Sequence, residues 1–209
     1  MTETVLITGA SGPLGRALAR VCREAGHPVW PVGRSPKPIG WLEGDLTTPE
    51  GVEQFLHHWE GPLGDVAHVF WALGPLEPRS SGEVSGQDLM EALYANAGAV
   101  ADLMGRLRLM APVRSLTLFG FQQMGEDRAW KNLLPYAVAK EALYRLFRSW
   151  CRDWAPMKIN LVSPGTIQGA AHAGPGATPL EPDAVARSAW ELVRRQAHGE
   201  HLKISDGGC

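Results

Sequence analysis

Tyr136 and Lys140 place a phenol and an ammonium one helical turn apart, near the start of an apolar-periodic run that opens at Pro135. A free tyrosine has a pKa of about 10, too weak an acid to protonate a carbonyl oxygen well near neutrality. A neighbouring cation favours the phenolate and lowers that value. The pair is therefore a candidate acid for carbonyl or alcohol chemistry. Tyr and Lys four apart also occur on ordinary helices as packed ring and solvated cation, and the spacing alone leaves that open.

A second cluster lies at the chain start. Thr8-Gly9-Ala10-Ser11-Gly12-Pro13-Leu14-Gly15 follows the apolar run Val5-Leu6-Ile7 and leads into a stretch with helical apolar spacing. Glycine patterns signal a nucleotide site in this strand-turn-helix setting. Gly9 and Gly12 let backbone approach a pyrophosphate, Gly15 lets the helix pack close on the strand, and unpaired helix N–H groups meet the anion. Pro13 falls in the first helical turn, where it forfeits no hydrogen bond.

These groups need a frame. Pro28 to Gly33 reads as a second strand, Ile39 to Leu42 as a short third, Val66 to Trp71 as a buried fourth, and Val113 to Phe119 as a fifth. Lys158 to Val162 and His201 to Ile204 read as the sixth and seventh. Helices are expected from Arg16 to about Gly26, from Asp45 to His58, from Glu83 to Met110, from Pro135 to Trp154 and from Glu181 to Ala197. Arg34 to Pro38 is too short for a helix between the second and third strands. Alternating strands and helices predict one α/β domain over residues 1–209, a doubly wound parallel sheet with helices on both faces.

In such a sheet ligands bind beyond the carboxyl ends of the strands. The candidates are Gly9 to Gly15, Arg34, Asp45, Ala72-Leu73-Gly74, Phe121-Gln122 and Pro164-Gly165-Thr166. About twenty residues past the glycine turn an acid usually binds the NAD ribose, whereas this chain has Gly33-Arg34-Ser35. A guanidinium there pairs with a 2′-phosphate, with Ser11, Ser35 and Lys37 able to add hydrogen bonds. NADP(H) is expected over NAD(H), which stays as the alternative.

The ordered set resembles the short-chain dehydrogenase/reductase family over nearly the whole chain. Thr8-Gly9-x-x-Gly12-x-x-Gly15 looks like its cofactor turn, and Tyr136-x-x-x-Lys140 like its catalytic pair. Asp45-Leu46 is similar to its adenine-binding step, Ala72-Leu73-Gly74 to a variant of its Asn-Ala-Gly, and Asn96 to its helix asparagine. Asn160 to Gly165 resembles the segment passing the nicotinamide, and Asp206-Gly-Gly the usual C-terminal turn. The resemblance implies a Rossmann-like sheet of about seven strands in the order 3-2-1-4-5-6-7. It also implies hydride transfer between nicotinamide and a small carbonyl or alcohol. Tyr136 would then be the proton donor, Lys140 the ribose-binding cation, and Asn96 the holder of a water linking Lys140 to solvent.

One position departs from the pattern. Where the family carries a serine after the fifth strand, the chain reads Gly120-Phe121-Gln122-Gln123, with Phe121 in the serine's place. Losing such a donor typically costs about 3 to 4 kcal/mol of transition-state stabilisation. Gln122 or Gln123 could supply an amide N–H instead; Ser115 and Thr117 lie too early and are expected to be satisfied within the strand. Phe121, with Trp71 or Trp130, would form an aromatic pocket wall. Gly169 to Pro179, where relatives carry a substrate lid, is short and lacks apolar periodicity. A catalytically weak nucleotide sensor of the same fold is the rival reading.

Composition narrows the classes. The chain has 209 residues and a formal charge of −2, with mixed signs and no basic face for nucleic acid. No apolar stretch has membrane length, and the first strand begins without a leader, so a cytoplasmic protein is expected. Cys22, Cys151 and Cys209 are read as free thiols. His57-His58 and His198 with His201 lack metal-ligand spacing, so no metal is expected. The apolar positions Leu143, Leu146, Phe147 and Trp150 suggest a subunit interface, giving a homodimer or homotetramer.

Overall fold

A computed structural model describes residues 2–34, 39–122, 124, 132–170 and 178–205. Seven parallel strands form one sheet: β1 (Thr4–Thr8), β2 (Val29–Gly33), β3 (Leu42–Glu43), β4 (Val66–Trp71), β5 (Ser115–Phe119), β6 (Lys158–Pro164) and β7 (His201–Ile204). Their order is β3-β2-β1-β4-β5-β6-β7, as expected. Chain direction reverses its build-out between β1 and β4, which opens a crevice at their carboxyl ends.

Alternation along the strands assigns the two faces. Leu6, Val69, Leu116 and Ile159 join one core with α2 (Pro49–His58), α5 (Ala99–Met110) and α6 (Leu134–Asp153). Val5, Ile7, Phe70 and Phe119 join the other with α1 (Pro13–Glu24) and α7 (Pro182–Arg194). The remaining helices are the short α3 (Glu60–Leu63) and α4 (Gly86–Leu93). Central strands are buried on both faces, which is why β4 is mostly apolar, while β5 carries Ser115 and Thr117 into the interior.

Several boundaries move. The third strand is not Ile39 to Leu42 but Leu42–Glu43: Gly40 turns at φ +94° and Ile39 stands in solvent, so pairing begins with Val32 opposite Leu42. The fifth begins at Ser115, because Val113 closes a local turn on the carbonyl of Ala111. The long helix expected from Glu83 starts later, where Ser85 and Asp88 form a capping box, and a π-helical turn at Tyr94–Gly98 divides α4 from α5.

The basis offered for a subunit interface also changes. Leu143, Phe147 and Trp150 of α6 face this chain's own core, and Leu146 is half-buried against it. Periodicity marked a buried face correctly, but the body burying it is the sheet. The large exposed apolar side chains on these helices are instead Met90, Leu109, Leu134 and Val138. No described helix is long and apolar enough to cross a membrane.

Candidate active site

The glycine turn is built to be tight. Gly9 sits at φ +66°, and a Cβ there would come within 2.6 Å of the carbonyl oxygen of Ala72, at the end of β4. A side chain on Gly15 would overlap the carbonyl of Gly9. The two glycines thus let the turn, α1 and the Ala72-Leu73 backbone close on one another. Gly12 is the N-cap of α1, Pro13 its first residue, and no side chain caps it, so the first-turn N–H groups are left for an anion. Leu14 is buried behind the turn, and the Ser11 carbonyl accepts from Arg16. These features fit a dinucleotide pyrophosphate.

The rim residues differ in what they offer. Arg34 is exposed at the end of β2; Ser35 and Lys37 lie outside the described residues. Asp45 folds its own turn, accepting from the Thr47 backbone N–H at 3.0 Å and the Thr47 hydroxyl at 2.6 Å. Leu46 is buried in the core, so only its backbone can face a ligand. Beyond β6, Gly165 donates to the carbonyl of Ile204 and Thr166 accepts from Leu180, which folds this segment back. A Cβ on Gly169 would lie 3.9 Å from that of Pro13, so the segment reaches the glycine turn. Residues 171–177 of the expected lid region and the Asp206 turn lie outside the described residues.

Tyr136, Lys140, Asn96 and Gly74 converge. A Cβ placed on Gly74 would stand 2.6 Å from Lys140 Nζ and 3.1 Å from Asn96 Oδ1, so glycine makes room for both side chains. Lys140 donates to the carbonyl of Phe119 at 3.0 Å, and its Nζ lies 5.4 Å from the Tyr136 ring centre. Asn96 sits in the π-helical turn and donates to the carbonyls of Pro75 and Ala92 at 3.2 and 3.1 Å. Its Oδ1 is buried with no hydrogen-bond partner among the described residues. An orphaned acceptor beside a buried ammonium is costly unless a ligand or water completes it.

Phe121 packs against the Tyr136 ring, ring centres 5.9 Å apart and tilted by 45°. The turn carrying it is held from behind: a Cβ on Gly120 would overlap Met124 and come within 2.8 Å of Ser163 Oγ. Gln122 lies in that turn, and Gln123 and Trp130 lie outside the described residues. Trp71 is wholly buried and so is core, not pocket wall. Ser115 is satisfied by His68, as expected of a strand residue, whereas the buried Thr117 hydroxyl has no partner among the described residues.

A cavity of about 590 Å³ runs from Arg34 and Thr47 to Pro135 and Tyr136, walled between them by Pro75 and Ala95. The segment after β4 lines one side of it as a strap, the Arg79 N–H bonding the carbonyl of Asn132 at 2.9 Å and Arg79 pairing with Asp88. Sequence reading missed this strap and the π-helical turn. The Ser85-x-x-Asp88 cap was a legible signal for the first.

A family model described as Enoyl-(Acyl carrier protein) reductase matches residues 9–198. The chain belongs to the short-chain dehydrogenase/reductase family. It is 28% identical over 182 residues to an NADPH-dependent pterin aldehyde reductase of Arabidopsis thaliana, covering 79% of this chain and 75% of that one. It is 22% identical over 189 residues to a coniferyl-alcohol dehydrogenase of Pseudomonas sp. (strain HR199 / DSM 7063), covering 79% and 73%. A dehydrogenase/reductase from Sinorhizobium meliloti 1021 superposes with a TM-score of 0.85 at 20% identity, covering 99% of this chain and 95% of that one. This protein is thus a short-chain dehydrogenase/reductase-type oxidoreductase, of a family whose members bind NAD(P) and act on small substrates.

In this short-chain dehydrogenase/reductase the Tyr136–Lys140 pair is electrostatically dry. Burial pushes the Lys140 ammonium down to about 7 and holds the Tyr136 phenol above its ordinary value. The expectation that Lys140 lowers the phenol is therefore not met. The ammonium stands over the ring and is itself desolvated, so it offers little field to the hydroxyl.

Proposed function

We propose that the protein is an NADP(H)-dependent reductase or dehydrogenase acting on a small carbonyl or alcohol. The convergence of Tyr136 and Gly74 with the buried Lys140 and Asn96 carries this reading. When bound, the dinucleotide supplies or accepts the hydride. Tyr136 gives a proton to the carbonyl oxygen in reduction. Lys140 binds the nicotinamide ribose and supports the phenolate left behind, while the unpartnered Asn96 Oδ1 holds the water that resupplies the proton. Gly9 to Gly15, Asp45, Ala72 to Gly74 and Pro164 to Thr166 frame the cofactor, and Phe121 and Gln122 face the substrate. A homodimer or homotetramer in the cytoplasm goes with this reading.

The pterin aldehyde reductase is named NADPH-dependent, which agrees with the exposed Arg34 where NAD enzymes place an acid. Arg34→Ala is expected to weaken NADPH binding by about 10- to 100-fold, the loss of one charge-assisted hydrogen-bond pair. NADH should change by less than about twofold. Titrations of both cofactors into both proteins check this; equal affinities unchanged by the substitution would remove Arg34 from the account.

A second reading, a cofactor-binding sensor with little turnover, is favoured by Phe121, whose ring stands against Tyr136 where a hydroxyl donor would serve the substrate oxygen. The readings part on activity. Oxidation of NADPH by some member of an aldehyde, ketone and quinone panel, with Phe121→Ser raising the rate, supports the enzyme. No turnover across the panel, with no gain in Phe121→Ser, supports the sensor.

A further inference from the structure

His68, Ser115 and Lys158 stand in register across β4, β5 and β6, on one face of the sheet at the amino ends of the strands. This is the end opposite the glycine turn and Tyr136. Glu3 Oε2 lies 2.7 Å from His68 Nε2, and His68 Nδ1 lies 2.8 Å from Ser115 Oγ. Burial holds His68 below its ordinary value, so the ring is neutral. A neutral imidazole against a carboxylate keeps its proton on Nε2, so Nδ1 accepts from Ser115 and fixes that hydroxyl.

The row forms part of the wall of a separate cavity of about 530 Å³, a volume in the range of small-molecule sites. Arg114, Lys158 and Arg194 bring three cations to it against one carboxylate, Glu3. Glu3 is already shared by His68 and Arg114, and Arg194 is clamped by Glu191. Among the described residues Lys158 has no acidic partner, although it is half-buried. Val113, Pro156, Met157 and the indole of Trp190 give the cavity apolar wall beside the polar His27 and Gln196. A half-buried, uncompensated ammonium beside a fixed hydroxyl and an aromatic wall calls for an anion with a flat apolar body.

We propose that this cavity binds a small planar organic carboxylate, its charge on Lys158 and Arg114 and its ring along Trp190. The site is independent of the dinucleotide cleft and of the oxidoreductase reading. Calorimetric titration of the full chain with benzoate tests it. Saturable binding is expected, weakened about tenfold or more in Lys158→Gln and several-fold in Arg114→Gln. Arg114 is largely exposed, so its variant keeps the test valid if Lys158→Gln fails to fold. Benzoate affinity should be the same with and without saturating NADPH. No saturable heat, binding unchanged in the variants, competition by NADPH, or inorganic phosphate binding as tightly as benzoate would each overturn the proposal.

Discussion

Tyr136→Phe is expected to lower carbonyl turnover by about 10²- to 10⁴-fold, the usual worth of a positioned general acid. The substitution removes one hydroxyl and keeps the ring that packs on Phe121, so the pocket wall survives. NADPH affinity should therefore stay within about twofold, and the loss should appear in kcat and kcat/KM together. Steady-state kinetics with a parallel cofactor titration check this. A variant that retains turnover would show that the proton comes from elsewhere.

Lys140→Met is expected to abolish turnover while making the unliganded protein more stable. Folding moves Lys140 from about 10.4 in the open chain to about 7 in the buried site. Between those values the unfolded state binds more protons, so wild-type stability rises with pH across that window. Below pH 7 the charged side chain is buried at full cost, on the order of 4 to 5 kcal/mol. Methionine removes that cost but leaves the carbonyl of Phe119 without its donor, which returns about 1 to 3 kcal/mol. The net gain of about 2 kcal/mol should raise the melting temperature by roughly 4 to 8 °C at pH 6. The gain should fade as pH rises towards 10. Thermal denaturation across that range decides it; an equal or lower melting temperature at pH 6 would mean that Lys140 is already compensated.

Much of this was legible in the chain. Apolar runs located β1 and β4 with little error, and the Tyr136–Lys140 spacing picked out two side chains that the fold brings to Asn96 and Gly74. The structure adds what periodicity cannot carry. Asn96 falls in a π-helical turn inside an unbroken helical pattern, because one extra backbone residue leaves no mark on side-chain spacing. Leu143, Phe147 and Trp150 announce a buried face, but the sequence does not say whether a sheet or a second subunit covers it. The pKa of Tyr136 depends on whether Lys140 is hydrated, and that follows from the depth of the site rather than from the four-residue step. Leu46 and Trp71 show the same limit, since both adjoin strand ends where ligands bind and both turn into the core.

Isotope transfer from the cofactor separates direct hydride transfer at the Tyr136 site from cofactor binding without chemistry. NADPH carrying deuterium at the transferable C4 position is incubated with the protein and the carbonyl panel, and the alcohols formed are read by mass spectrometry. One deuterium is expected on the former carbonyl carbon of at least one substrate, with no labelled product above background from Tyr136→Phe. Cofactor bound tightly with no labelled alcohol from any substrate would contradict it.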